Sequence, residues 1–187
     1  KTSIIPHGNY DNCYFFDEKI AHKIKKDFHI TEENIVILFF GAIRGYKGVE
    51  HLIENFLKAE GSHLKLIIAG NPQDKELTRS IEDRAERDSR ISLMLGFIPD
   101  EAVSALFSIA DIVAIPFERT LTSGSAVLAI TMGKALFLPE EAYVLDLVSD
   151  EGCIFYELNS MLMKIESLNK DKLILMGEAN RLLADNL

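Results

Sequence analysis

The sequence predicts an α/β protein, a Rossmann-like doubly wound parallel sheet with helices on both faces, as one domain over residues 1–187. Three observations predict it. Six short apolar runs lack regular polar alternation, as strands buried on both faces do. Segments of helical spacing lie between them, and strands alternating with helices of about ten residues build parallel sheets with right-handed crossovers. The chain is 48% hydrophobic and 26% charged, an ordinary globular composition long enough for one good-sized core.

In chain order, Ser3-Ile4-Ile5 is strand-like and has no lead-in, which predicts a piece excised from a longer chain. Ile35 to Phe40, Leu64 to Ala69, Ile91 to Leu95, Ile112 to Ile115, Ala135 to Leu138 and Cys153 to Tyr156 are the six strands. After the first comes a helix carrying Val49, Leu52, Ile53, Phe56 and Leu57 at the spacing of one buried face. Leu77, Ile81 and Ala85 form a narrower stripe on a polar helix capped by Asp74. Pro99-Asp100 starts a helix with Val103, Leu106 and Phe107, and Ser125 to Met132 is apolar nearly all round, as a fully buried helix would be. The tail offers two more helices. Leu158, Met161, Leu162, Ile165 and Leu168 mark the first, and Leu173, Met176 and Leu183 the second.

Charge and cysteine usage exclude several classes. Twenty Lys and Arg stand against 29 Asp and Glu, a net charge of -9 that opposes a phosphate backbone, so no nucleic acid is expected as partner. Cys13 and Cys153 lie far apart, without a CxxC pair or a glycosylation sequon, which fits a reducing, cytoplasmic setting. No apolar stretch approaches the roughly 18 to 20 residues of a membrane span, and KTSIIPHG has no signal-peptide architecture.

In open α/β sheets ligands bind outside the carboxyl ends of the strands, which selects the loops Gly41 to Gly48, Gly70 to Gln73, Gly96 to Pro99 and Pro116 to Gly124. The first, FFGAIRGYKG, matches neither GxGxxG nor GxxxxGK[ST]. It does set Arg44 and Lys47 at the mouth of the sheet, where a planar guanidinium and a mobile ammonium suit a diphosphate, and glycines such as Gly41 let backbone approach closely. Two solvated loop cations are the alternative. In the last loop, Ser123, Gly124 and Ser125 open the apolar helix, whose free N–H groups and dipole favour an anion, with hydroxyls at hand as further donors. An ordinary N-cap is the alternative there. Both loops leave one sheet, so two cations and a helix terminus are expected to face one anion from opposite sides. His7 follows the Ser3–Ile5 run and either enters that cleft or bonds loop backbone. Glu118 either accepts from sugar hydroxyls or pairs with Arg119, and Gly96-Phe97-Ile98-Pro99 either meets a base edge or is simply a turn. No Ser-His-Asp set, HExxH or metal-spaced carboxylate cluster is present in the sequence, and no metal or cofactor is expected.

IIPHGNY, FFGAIRGYKGVEHLI, LKLIIAGNP, ISLMLGFIPDEAVSALFSIADIVAIPF and TSGSAVLAITMGKALFLP, in that order, resemble the C-terminal, donor-binding domain of GT-B retaining glycosyltransferases of glycosyltransferase family 4 (group 1 type). The resemblance covers essentially the whole chain. It implies that Arg44 and Lys47 bind a donor diphosphate, that Phe97 and Ile98 lie against the base, and that Ser123, Gly124 and Ser125 offer backbone amides to the phosphates. It also implies a nucleotide-sugar donor, a carbohydrate or lipid-linked acceptor bound by an N-terminal domain outside these residues, and peripheral membrane contact by the full enzyme. The expected activity is hexosyl transfer with retention, for which the fragment alone is not competent. Counting back from Met132-Gly133, Thr120 and Leu128 stand where the family usually carries two glutamates, one for sugar and one for ribose. That leaves Glu118 and Thr120 as sugar-contact candidates and no ribose acceptor at Leu128. A sugar-nucleotide epimerase or phosphorylase half and a noncatalytic nucleotide- or partner-binding domain are the competing classes. An epimerase needs an acid–base carboxylate pair that this half does not show, and a phosphorylase needs a cofactor lysine.

Overall fold

A computed structural model of the chain describes residues 8–11, 13–116, 123–141 and 148–185. The six predicted runs form one parallel sheet: β1 (Ile35–Phe40), β2 (Leu64–Gly70), β3 (Ile91–Leu95), β4 (Ile112–Ala114), β5 (Ala135–Pro139) and β6 (Cys153–Tyr156). Their spatial order is β3-β2-β1-β4-β5-β6. β1 pairs with β2 from Ile35 opposite Leu64 to Phe40 opposite Ala69, and with β4 from Ile37 opposite Ile112.

Side chains alternate across a strand, so an uninterrupted apolar run serves two cores at once. In β1, Ile35, Ile37 and Phe39 enter one core while Val36 and Leu38 enter the other. The first core is covered by α2 (Val49–Lys58), α3 (Lys75–Ala85) and α6 (Met161–Glu166) through Leu52, Ile53, Phe56, Ile81 and Ile165. The second is covered by α1 (Glu18–Asp27), α4 (Asp100–Ile109) and α5 (Gly124–Thr131) through Ile24, Leu106, Phe107 and Leu128. α7 (Lys170–Ala184) reaches both, with Leu173 in the first and Ala184 in the second.

The observed boundaries differ from the expected ones in physically clear places. β2 continues to Gly70 and β5 to Pro139, while β4 stops at Ala114. α6 is shorter than its apolar spacing predicts: exposed Leu158 precedes it and buried Leu168 follows it. α1 has no counterpart in the sequence reading, because EKIAHKIKKD buries only Ala21 and Ile24 on an otherwise charged helix. The Ser3–Ile5 run lies outside the described residues.

Polar contacts fasten the frame where apolar packing ends. Asp111 Oδ2 accepts the Val36 N–H at 2.8 Å, and burial raises this carboxyl above its ordinary range. Buried Asn180 donates to the carbonyls of Lys134 and Gly152 at 2.7 and 2.9 Å, joining α7 to the entries of β5 and β6. Near the amino end of the described chain, Asn9 Nδ2 donates to the Ala184 carbonyl at 3.0 Å and Asp11 pairs with Arg181 at 2.7 Å. Between them, the Tyr10 N–H donates to Thr131 Oγ1 at 3.1 Å.

Candidate functional site

From β1 the chain crosses to β2 on one side, and from β4 to β5 on the other, so strand order reverses between β1 and β4. The crevice outside the carboxyl ends of that pair is where open sheets hold ligands. The loop after β1 is set by glycine geometry. Gly70 has φ +147, and a Cβ there would fall 1.8 Å from the Gly41 carbonyl oxygen, so only glycine lets the ends of β1 and β2 close up. Buried Ile43 then bridges to Pro72, and a 3-10 turn over Gly45–Lys47 leads through Gly48, φ +67, into α2.

The loop after β4 meets it directly. Ser125 Oγ–H donates to the Phe40 carbonyl at 2.9 Å, across the gap between the first turn of α5 and the last residue of β1. A Cβ on Gly48 would sit 2.1 Å from the Pro116 carbonyl oxygen. Ser123 is buried, and its hydroxyl oxygen caps α5 by accepting from the Ala126 N–H at 3.1 Å. The amides of Gly124 and Ser125 come ahead of that cap bond, at the positive end of the helix. The two loops expected to share an anion are thus joined by a hydrogen bond and a backbone contact. Ser125 donates its hydroxyl proton to the Phe40 carbonyl, while the Ser123 oxygen accepts the cap bond, which leaves the Ser123 proton uncommitted by that bond.

On the cationic wall, Arg44 Nη1 donates to the Ile43 carbonyl at 2.9 Å and to the Asn71 carbonyl at 3.3 Å, which lays the guanidinium across the loop after β2. Lys47 is half-buried, and burial, with Arg44's charge as the second cause, holds its ammonium below the usual lysine range. An anion bound there would favour the charged form of Lys47.

The Phe97–Ile98 turn lies at the carboxyl end of β3, tied to β2 by the Gly96 N–H donating to the Gly70 carbonyl at 2.9 Å. Phe97 is 86% exposed, while Ile98 packs on the α1/α4/α5 core. Leu128, 3% exposed, belongs to that same core, so it makes no polar contact with a ligand. His7, Glu118 and Thr120 lie outside the described residues. One residue that sequence reasoning passed over is Tyr10: a Cβ on Gly124 would lie 3.2 Å from its hydroxyl oxygen, a contact between positions 114 residues apart that no spacing rule signals. A cavity of about 530 Å³ lined by Asp111, Lys134, Glu178 and Arg181 lies elsewhere, where β4 and β5 begin, and shares no residue with these loops.

Fold and crevice together define a Rossmann-like α/β domain whose candidate binding loops sit at the point of strand reversal. The chain belongs to the glycosyl transferases group 1 family, whose model matches residues 21–136. It is 28% identical over 150 residues to a GDP-mannose:glycolipid 4-beta-D-mannosyltransferase of Xanthomonas campestris pv. campestris, covering 76% of this chain and 43% of that protein. It is 26% identical over 193 residues to the lipopolysaccharide 1,2-N-acetylglucosaminetransferase of Salmonella typhimurium, covering 98% of this chain and 48% of that one. The chain therefore spans about half the length of these curated relatives or less. Among solved structures, Anabaena HepE in complex with UDP and glucose superposes with TM-score 0.77 at 16% identity, over 94% of this chain and 50% of that one. The C-terminal domain of a group 1 glycosyl transferase from Francisella tularensis matches with TM-score 0.71 at 16% identity, over 92% of this chain and 94% of that one.

Proposed function

We propose that this domain is the donor-binding half of a GT-B glycosyltransferase that moves a sugar from a nucleotide-diphosphate sugar to an acceptor hydroxyl in polysaccharide or glycolipid synthesis. The observation that carries the reading is the junction of the two crevice loops through Ser125 and Phe40, which sets the amino terminus of α5 beside the loop bearing Arg44 and Lys47. The diphosphate is gripped between those cations and the helix terminus. Charge-assisted hydrogen bonds contribute roughly 1.5 to 3 kcal/mol each, so three or four correspond to about micromolar to millimolar affinity once binding costs are subtracted. The same groups stabilise the diphosphate as it leaves, a role that requires no metal or cofactor. The Phe97–Ile98 turn supplies the base wall, and Glu118, Thr120 and His7 are the candidates for sugar contact.

The acceptor, carbohydrate or lipid-linked, belongs to the missing half, so the isolated domain binds donor and transfers little. The intact enzyme is cytoplasmic in this reading, with peripheral contact at a membrane where its acceptor is lipid-linked; among the described residues no helix is long and apolar enough to cross one. Transfer proceeds with retention, which turns an α-linked donor into an α-glycoside. The Xanthomonas relative's name carries a β linkage, so the anomeric configuration of the intact enzyme's product decides this point.

Calorimetric titration with UDP, GDP, ADP and their sugars tests the reading. At least one nucleotide should bind, in EDTA as well as without it, and added salt should weaken it. Arg44→Ala should reduce affinity by about 1.5 to 3 kcal/mol, or about 10- to 150-fold. Unchanged affinity in that variant removes the phosphate assignment.

A further inference from the structure

We propose that α1, with Phe15 and Phe16 just ahead of it, is a docking surface for an anionic lipid bilayer. The inference deepens the peripheral membrane contact in the reading above by naming the surface, and it rests on that reading for its purpose but not for the binding itself. Its basis is the way EKIAHKIKKD divides its residues. Ala21 and Ile24 are buried, and Ile20 packs partly buried against the same core. Lys19, His22, Lys23 and Lys26, all exposed, follow the i, i+3, i+4, i+7 spacing of a single helix face turned away from that core. Four lysines stand against Glu18 and Asp27 on this helix, in a chain whose net charge is -9. Among the described residues Lys25 alone of the four is in an ion pair, with Glu32 at 2.8 Å. The stripe is thus a local reversal of the protein's charge.

Phe15 and Phe16 precede the Asp17 cap and are 82% and 59% exposed, two adjacent rings left in water although Phe is ordinarily among the most buried residues. The Phe15 carbonyl accepts from Ser104 Oγ on α4 at 2.7 Å, which fixes their place. α1 delivers the chain to the start of β1, so its carboxyl end lies toward the amino ends of the strands and its aromatic end toward the crevice. An interfacial helix needs cations for anionic headgroups and apolar groups for the acyl boundary. The apolar face of α1 is buried in the core, so the rings ahead of the helix supply the insertion and the lysines the attraction. Asp17, Glu18 and, on α4, Glu101 lie at the aromatic end, which concentrates the positive charge toward Lys23 and Lys26. A nucleic acid would engage the lysines but leave the rings unused, and the net charge opposes it. A bilayer held by this surface lies beside the mouth of the crevice, where a lipid-linked acceptor would arrive.

Flotation of this chain, titrated with vesicles of equal parts phosphatidylglycerol and phosphatidylcholine, tests the surface. The chain should bind these vesicles, ignore phosphatidylcholine alone, and be released by added salt. A lysine near an anionic surface contributes about fivefold, so combining Lys19→Gln, Lys23→Gln and Lys26→Gln should cost about 100-fold in affinity. Combining Phe15→Ser with Phe16→Ser should cost about 10-fold or more. Melting temperature and nucleotide affinity should match the parent's in both variants, and the lysine variant decides where the phenylalanine one melts lower. A parent chain that leaves the anionic vesicles unbound, or binds both kinds equally, overturns the inference, as does full vesicle affinity in a folded variant of either kind. Binding to DNA as tight as to vesicles, lost in the lysine variant and kept in the phenylalanine one, assigns the stripe to a nucleic acid and also overturns it. Vesicle binding by a chain indifferent to every nucleotide leaves this surface standing and removes the donor site, and nucleotide binding without vesicle binding does the reverse.

Discussion

Gly48 faces the carbonyl of Pro116 so closely that a Cβ would fall 2.1 Å from the oxygen, and Gly48 itself has φ +67. Each property alone disfavours a side chain, since left-handed backbone costs an L-residue roughly 1 to 2 kcal/mol and overpacking about 1 to 3. Gly48→Ala should therefore lower unfolding free energy by about 2 to 5 kcal/mol in urea titration. Because Gly48 holds the cationic loop against the strand leading to α5, the same variant should bind nucleotide more weakly even where it remains folded. Full stability in Gly48→Ala would mean that the two loops are not pressed together.

Lys47 makes a pH prediction whose sign is set by its surroundings. Burial, and secondarily Arg44, lowers its ammonium below the ordinary 10.5. Between the lowered value and 10.5 the unfolded chain holds more protons than the folded one, so this group makes the unliganded domain gain stability as pH rises through that window. A bound diphosphate favours the charged ammonium and reverses the shift. Nucleotide binding should then be accompanied by proton uptake at alkaline pH, seen as a buffer-dependent heat, and affinity should fall as pH climbs through the lowered value. Lys47→Met should abolish the buffer dependence.

The two thiols should react very differently. Cys13 is exposed, whereas Cys153 is buried and its thiol is pushed up to about 12, by burial first and by Asp150 second. The thiolate is the nucleophile, so at neutral pH a thiol reagent should label one cysteine in the native chain and two after denaturation. Rapid labelling of both in the native state would place Cys153 outside the core.

Asn180 tests the join between α7 and the sheet. Its amide supplies hydrogen bonds to the carbonyls of Lys134 and Gly152 at 2.7 and 2.9 Å. An abandoned buried polar group costs about 1 to 3 kcal/mol, so Asn180→Ala should destabilise by about 2 to 5 kcal/mol in urea. Nucleotide affinity of the folded fraction should stay near the parent's, because the crevice lies at the opposite ends of the strands.

The sheet was legible because burial on two sides writes itself as an unbroken apolar run: Ile35 to Phe40 could be placed to the residue. The doubly wound class could be read from the α/β alternation, but the strand order that puts the reversal between β1 and β4 could not. α1 was not legible, since a helix that fully buries only Ala21 and Ile24, with Ile20 partly buried beside them, is mostly charged in sequence. The loops after β1 and β4 were legible as an anion site in kind, through Arg44, Lys47 and Ser123 to Ser125, but not in detail. Nothing in spacing tells that Ser125 spends its proton on Phe40, that Arg44 reaches the Asn71 carbonyl, or that Tyr10 lies along α5, because each is a contact between residues brought together only by the fold.

Asn9 touches Ala184 and Asp11 touches Arg181, contacts that span 175 and 170 positions. The polypeptide is in this sense a lasso, knotted at its base by one amide and one ion pair. A single proteolytic nick in an exposed connection such as Glu60–His63 would leave two pieces still clasped at that base. Joining residue 8 to residue 185 through a short spacer, with new ends opened at such a nick, should give a rearranged chain that folds to the same sheet.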